Sequence, residues 1–509
     1  MKQASFSAAM KHKKVTDALN EISDKYLMEA AGSGKRKLSP WLGTVAAILA
    51  IALLWGFGVA PYMKAPSNTP SLSVPDTAPS ATNPPVITPY EPFNGEKTPL
   101  ELPQSNTPYL LSAPSYPKMA GYGTNYYYNS KRNIHSTQAG YADSLAGYFE
   151  GIMREGLANT EENAVLSPVN IYLALAMLAE TTSGNSRQQI LDLLGLDSIK
   201  ALREQAEQVW RANYWNDGLS TSILASSLWL SDSLSYNESV VKTLAENYYA
   251  SVFRGQMGSK ALDTALQDWL DTCTGNLLSD YAKEATLDKE TVMALATAIY
   301  YQVEWQDGFS KWANTEDLFY APTEEKTVTY MNSRRLQFYY WGEGYSAVCL
   351  PLKNNDKMWL ILPDEGKAPA DLLVDGTVLN ELLNGTAENK TLFVNLALPK
   401  FDISANYFLK NTLAKLGITD VFSGATANFS GLISGIEARP YVSDINHAAR
   451  VTIDEEGVTA AAYTLILVAG AAAPSPDQLE VDFVLDRPFL FVVESNKGLP
   501  LFTGIVNNP

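Results

Sequence analysis

Cysteine is nearly absent from this 509-residue chain: Cys273 and Cys349 are its two thiols. That is too few for a disulfide framework and the wrong spacing for a metal pair, so packing alone must hold the fold around two buried free thiols. Histidine is almost as scarce, with His12, His135 and His447. No Gly-x-Ser-x-Gly elbow occurs, so nucleophilic catalysis would have to rest on His447, and a lone histidine in an apolar context is more often a hydrogen-bonded core residue. Gly32, Ser33, Gly34 and Lys35 resemble part of a phosphate loop, but Glu29 stands where the first glycine is required and no strand pattern precedes it. Basic residues are outnumbered, 38 to 55, for a net charge of −17. Residues 1–37 hold eight Lys or Arg against four Asp or Glu, which leaves −21 for the remainder. So acidic a body does not seek nucleic acid or an anionic membrane surface. No metal site, cofactor or enzymatic activity is expected, and the chain is expected to be a monomer.

What is present begins with one long apolar run. Residues 38–63 carry no charged side chain, and Trp41 to Ala60 is long enough to cross a bilayer as a helix. Lys35, Arg36 and Lys37 precede it directly, which predicts a cytoplasmic tail over 1–37, a single-pass helix over 38–63 and everything later outside the cell. A cleaved signal peptide is the rival reading; Gly58 and Ala60 are small enough for a peptidase, but Pro61 would follow the cut directly. Residues 64–118 are rich in Pro, Ser, Thr and Asn and read as an extended extracellular linker. Residues 119–134 are a Tyr-rich transition without a legible structure, and 135–509 form the folded domain.

Within that domain Tyr141, Leu145, Tyr148, Phe149, Ile152 and Met153 recur at helical spacing, as do Ile171, Leu175, Leu178 and Ala179. Ser167 is placed to cap the second helix and Pro168 suits its first turn. Strands are predicted over 346–352, 358–362 and 391–398, and over most of 481–506 with a turn at 496–498. Helices first and strands later indicate a mixed α/β (α+β) architecture with antiparallel sheets.

Two C-terminal stretches carry a specific likeness. Tyr441-Val-Ser-Asp-Ile-Asn-His-Ala-Ala-Arg-Val-Thr-Ile-Asp-Glu-Glu-Gly-Val-Thr-Ala-Ala-Ala-Tyr-Thr464 resembles the reactive-loop hinge of the serpin family, and Asp486-Arg-Pro-Phe-Leu-Phe491 followed by Leu501-Phe-Thr-Gly504 resembles its C-terminal signature. Further matches run in family order: Asn163 to Pro168, Ala298 to Trp305, Leu398 to Phe401 and Leu413 to Phe422. The likeness covers about residues 135–509 and implies a membrane-anchored, bacterial-type member. It implies the serpin fold of three β-sheets, eight or nine helices and an exposed reactive loop. It also implies a suicide mechanism, in which a serine protease cuts the loop and the loop then inserts into the central sheet while the protease is still acyl-linked.

The resemblance assigns the hinge to Glu455, Glu456, Gly457, Val458, Thr459, Ala460, Ala461, Ala462, Tyr463 and Thr464. Gly457 can supply the bend, and the small alanines can slip between strands. On insertion Val458, Ala460, Ala462, Thr464, Ile466 and Val468 would face inward together, because strand side chains alternate. The family interval puts the reactive bond at Ala471–Ala472. Small apolar residues there suit a shallow apolar pocket, so an elastase-like or subtilisin-like partner is expected. Ser167, Thr297, Trp305, Lys400 and His447 match the family's shutter and breach, with Lys400 facing Glu455. Two departures stand out: Val458 replaces a usual Thr or Ser, and Thr297 replaces an Asn, leaving a hydroxyl that can still bond His447. Other readings are a non-inhibitory serpin used for binding or scaffolding, a cysteine-protease inhibitor on the same fold, and a hydrolase using His447.

Overall fold

The computed structural model describes residues 109–158, 162–374, 376–433, 440–443, 445–458 and 479–509. The tail, the 38–63 run, most of the linker, Thr459 to Thr464, Ala471 and Ala472 all lie outside them. Ten α-helices are found among the described residues. They are α1 (Tyr127–Ile134), α2 (Ala146–Leu157), α3 (Pro168–Thr181), α4 (Gly184–Leu193), α5 (Ile199–Asn213), α6 (Glu238–Asn247), α7 (Lys260–Cys273), α8 (Ser279–Glu284), α9 (Thr377–Leu383) and α10 (Lys410–Lys415). Helix α3 begins where the sequence places it: Ser167 is extended, its hydroxyl accepts from the Asn170 amide, and Pro168 follows. All fourteen of its residues are buried, so it forms the centre of the core.

Strands β1 (Leu110–Ser112), β2 (Ala164–Leu166), β3 (Trp215–Asn216), β4 (Ser220–Ser231), β5 (Ala250–Gly255) and β6 (Met293–Glu304) come first. Next are β7 (Thr315–Tyr320), β8 (Glu325–Gly342), β9 (Tyr345–Pro351), β10 (Lys357–Pro363), β11 (Glu388–Pro399) and β12 (Phe401–Phe408). The last are β13 (Asn446–Ile453), β14 (Gly457–Val458), β15 (Glu480–Val484), β16 (Phe489–Glu494) and β17 (Pro500–Val506).

One sheet runs β1-β5-β4-β6-β14-β13-β12 with β3 on β4; the other runs β15-β11-β8-β9-β10-β16-β17-β2 with β7 on β8. Mixed architecture is thus as expected, but among the described residues the strands form two continuous sheets where three are expected. The reason is β8, whose 18 residues pair with β7 at one end, β9 at the other and β11 in between, joining two expected sheets into one. Helix α7 covers the outer face of the first sheet, where Leu262, Leu266 and Trp269 meet Ala225, Trp229 and Phe253. The Trp229 and Phe253 rings stack 4.1 Å apart.

The last residues of the Pro-rich stretch pack on the fold. Strand β1 pairs antiparallel with the edge strand β5, and Tyr116 stacks on Trp210, Tyr214 and Tyr249. Stacking of Tyr116 and the pairing of β1 with β5 tie down a stretch whose proline content alone argues for a free spacer. The Tyr-rich transition contains α1, with Tyr127 hydrogen-bonded to Asp217 at 3.1 Å.

Candidate functional site: the breach and the hinge

Between β13 and β14 the chain turns on Asp454, Glu455 and Glu456. The Asp454 Oδ1 accepts the amides of Glu456 at 2.8 Å and Gly457 at 3.2 Å, which closes the turn. The chain then re-enters the sheet: Val458 pairs with Ile453 on one side and with Val303 on the other, and Gly457 pairs with Glu304. Gly457 does not lie in the left-handed region, so bending is not what requires it. A Cβ at Gly457 would overlap the Val303 carbonyl oxygen and come within 2.8 Å of Glu304 Cα. Its role is close approach of two backbones. Val458 is buried, on the same face as Ile453 and Val303.

At this level β14 stands between β6 and β13. Among the described residues no register pairs those two strands directly; β6 is bonded to β4, and β13 to β12.

Trp305 seals the top. Its backbone amide donates to the Glu456 carbonyl and its indole Nε1 to the Asp454 carbonyl, each at 2.9 Å, while its ring meets Phe309 edge-on. Glu455 is buried, with Lys400 Nζ 2.6 Å from its carboxylate and Asn314 Nδ2 donating to the same oxygen at 2.5 Å. Burial raises the Glu455 carboxyl, but hydrogen bonds from Lys400 and Asn314 outweigh it and hold the group below the usual carboxylate range. Glu456 pairs with Lys311 at 3.3 Å on the outside.

Behind the breach lies a cluster that no motif announces. Asp356 is buried and accepts from the Tyr301 hydroxyl at 2.8 Å, Asn354 Nδ2 at 2.6 Å and the Asn496 amide at 2.7 Å. Burial pushes its carboxyl up to about 6 against the pull of these bonds. Lys353 reaches Glu304 at 2.6 Å, and Trp305 bridges Leu352, so β6 is fastened at its upper end to the β9–β10 turn. The sequence signal for this cluster, Asn354-Asn355-Asp356, reads only as a turn.

The shutter lies deeper. His447 is buried, and burial lowers its ring to about 4, so it is neutral at physiological pH. Its Nε2 accepts from the Ser167 amide at 3.0 Å, which ties β13 to the cap of α3. Among the described residues no hydrogen bond joins Thr297 to His447. Thr297, on β6, pairs with Ser226 of β4, and among the described residues no register joins β6 to β13. The structure thus brings together Trp305, Lys400, Glu455, Glu456, Gly457 and Val458, and separately Ser167 with His447, leaving Thr297 out. Neither histidine among the described residues is arranged for catalysis: His135 is also buried, its Nε2 donating to the Tyr214 carbonyl at 2.7 Å. Cys273 is buried, Cys349 is half-buried, and both are free. Among the described residues no cluster of His, Cys, Asp and Glu could hold a metal ion, and no helix is long and apolar enough to cross a membrane.

A family model described as Serpin (serine protease inhibitor) matches residues 152–509. Serpin-Z2B of Triticum aestivum is 30% identical over 365 residues, 69% of this chain and 91% of its own. The plasma serine protease inhibitor of Mus musculus is 29% identical over 360 residues, 68% of this chain and 85% of its own. The crystal structure of the thermophilic serpin Tengpin in the native state superposes with a TM-score of 0.66 at 24% identity, covering 74% of this chain and 95% of that one. Strand pairing at the hinge, the Trp305 seal and these matches converge: the chain belongs to the serpin family of serine protease inhibitors, which are not catalysts.

Proposed function

We propose that this chain is a suicide inhibitor of extracellular serine proteases of elastase-like or subtilisin-like specificity. The observation that carries this reading is the placement of Gly457 and Val458 between β6 and β13. The residue that begins the inward row is already in the sheet, and the small residues Thr459 to Ala462 follow it directly in the chain. A protease that cuts at Ala471–Ala472 would release this segment to continue as a full strand, gaining ladder hydrogen bonds and buried apolar surface. Relatives bearing the name of serine protease inhibitors support the class of partner. Specificity rests on the small residues Val468 to Ala473. The uncharged run 38–63 is the basis for proposing a single-pass anchor that holds the domain outside the cell, on the bacterial-type plan.

Incubation of residues 109–509 with a protease panel tests the function. A complex with an elastase-like or subtilisin-like enzyme that survives boiling in detergent is expected. Cleavage without trapping would favour the non-inhibitory reading, and trapping of papain-like enzymes alone would favour the cysteine-protease reading. For the anchor, the full chain should sediment with membranes; a mature N-terminus near residue 61 in the medium would identify a signal peptide instead.

A further inference from the structure

Beside the point where the reactive loop returns to the fold, β8, β11 and β15 turn one face outward. Register aligns Leu336 with Phe393 and Glu480, and Arg334 with Asn395 and Asp482. Alternation puts Phe338 on the same face, next along β8. Contacts agree with the register. The Arg334 guanidinium lies 4.3 Å from the Phe393 ring centre and pairs with Glu480 at 3.0 Å, while Asn395 donates to Glu480 at 2.8 Å and to Asp482 at 2.7 Å. Leu336 and Phe338 remain 52% and 54% exposed. Phe338 meets only the Tyr340 ring on its own strand, at 6.1 Å, among the aromatic contacts, and Tyr339 and Trp341 supply the inward, buried row of that strand. Two adjacent large apolar side chains left in water on a sheet face mark a contact surface rather than a core.

Chain connectivity says what reaches this surface. The Leu479 carbonyl accepts from the Phe393 amide at 3.0 Å, so the loop leaves the sheet one strand away from Leu336. From Leu479 back to Ala471 the chain spans at most about 28 Å. A globular protease of about 230 residues has a radius of gyration of about 17 Å, hence a width of about 45 Å. A body of that width gripping the loop overhangs the strand end where the loop exits. Arg334 neutralises Glu480, and the exposed Asp482 leaves an acidic flank, in keeping with the chain's net charge of −17.

We infer that Leu336 and Phe338, flanked by Phe393 and Asp482, form a second docking surface for the target protease, which meets it with an apolar side chain beside a basic one. This rests on the proposed inhibitory function and adds to it a contact outside the reactive loop. Such a surface holds the complex formed before cleavage, so it governs the second-order rate of inhibition, through dissociation of that complex, rather than the fate of the acyl-enzyme.

The double variant Leu336→Glu/Phe338→Glu, compared with the wild-type chain against the protease it traps, tests this. The second-order rate of inhibition is expected to fall by about tenfold or more, as removal of an apolar anchor does. The number of inhibitor molecules consumed per protease, and the rise in melting temperature on loop cleavage, should stay as in the wild type. If the two glutamates abolish the melting transition, Leu336→Ser/Phe338→Ser takes their place with the same expected direction. Equal rates for wild type and a folded variant would overturn the surface while leaving the inhibitor reading intact. A wild-type chain that traps no protease would overturn that reading and this surface together. A wild-type dimer in sedimentation that the variant dissolves, with unchanged inhibition, would assign the face to a second copy and overturn the proposal.

Discussion

A methyl group at Gly457 would meet the Val303 carbonyl oxygen, so the hinge can lie against β6 only with glycine there. Gly457→Ala is therefore expected to expel β14 from the sheet, which hydrogen exchange would register as loss of protection at Gly457 and Val458. His447 carries a pH dependence of defined sign. Its ring is held near 4 by burial while an exposed histidine titrates near 6.5, so between these values the unfolded chain binds the extra proton. Its contribution is complete above about 6.5 and is lost as pH falls toward 4. Asp356, raised to about 6, works in the opposite direction, favouring the folded state at low pH and losing that effect as pH rises through 6. Comparison with a variant separates the two. Melting temperatures of the wild type should drop more steeply from pH 7 to pH 4.5 than those of His447→Gln, and parallel curves would mean that His447 is not held neutral in the core.

At the scale of elements, much was legible where one local rule decides the outcome. Ser167 and Pro168 mark the start of α3 because cap chemistry is local, alternation finds the inner part of β11 because it buries one face, and β9 and β10 are legible as short apolar runs buried on both faces. Strand β1 was illegible: three residues at a sheet edge carry too little pattern to outweigh thirteen prolines across 65–118. Asn314 and Asp356 were missed because their partners are 141 residues away in one case and, in the other, include Tyr301 and Asn496 from different sheets' ends. The separation of Thr297 from His447 was not legible for a related reason, since it depends on how β6 and β13 pair in the sheet. The hinge is an element whose sequence can be tested directly. Ala462→Arg would put a charge on the inward face of the inserting strand, at a cost of several kcal/mol, about 2–7, for a polar group buried without a partner. The variant is expected to be cut as a substrate, with the ratio of cleaved inhibitor to trapped protease rising steeply; unchanged trapping would exclude insertion.

Among the described residues, Gly457 and Val458 hold the strand position between β6 and β13. Val458 and Gly457 fill the upper end of that position, and the sheets are otherwise fastened around it by Lys400–Glu455, Trp305, the Asp356 cluster and the Ser167–His447 bond. If the residues after Val458 complete the strand once the loop is cut, the chain gains a central strand of ladder bonds and an inward row of Ala460, Ala462, Thr464, Ile466 and Val468 without losing any contact described above. Cleavage near Ala471 by a protease that cuts the loop without being trapped should then raise the melting temperature by tens of degrees. An ordinary domain nicked in an exposed loop keeps its melting temperature or loses a few degrees, because the cut adds chain entropy to the unfolded state and nothing to the folded one. Differential scanning calorimetry of the intact and cut chain reads the sign, and a transition that moves down would count against insertion whatever protease made the cut. Ala471→Arg should move the cut, and the trapping, to trypsin-like enzymes; if elastase-like enzymes alone are still trapped, the reactive bond lies elsewhere in 468–473.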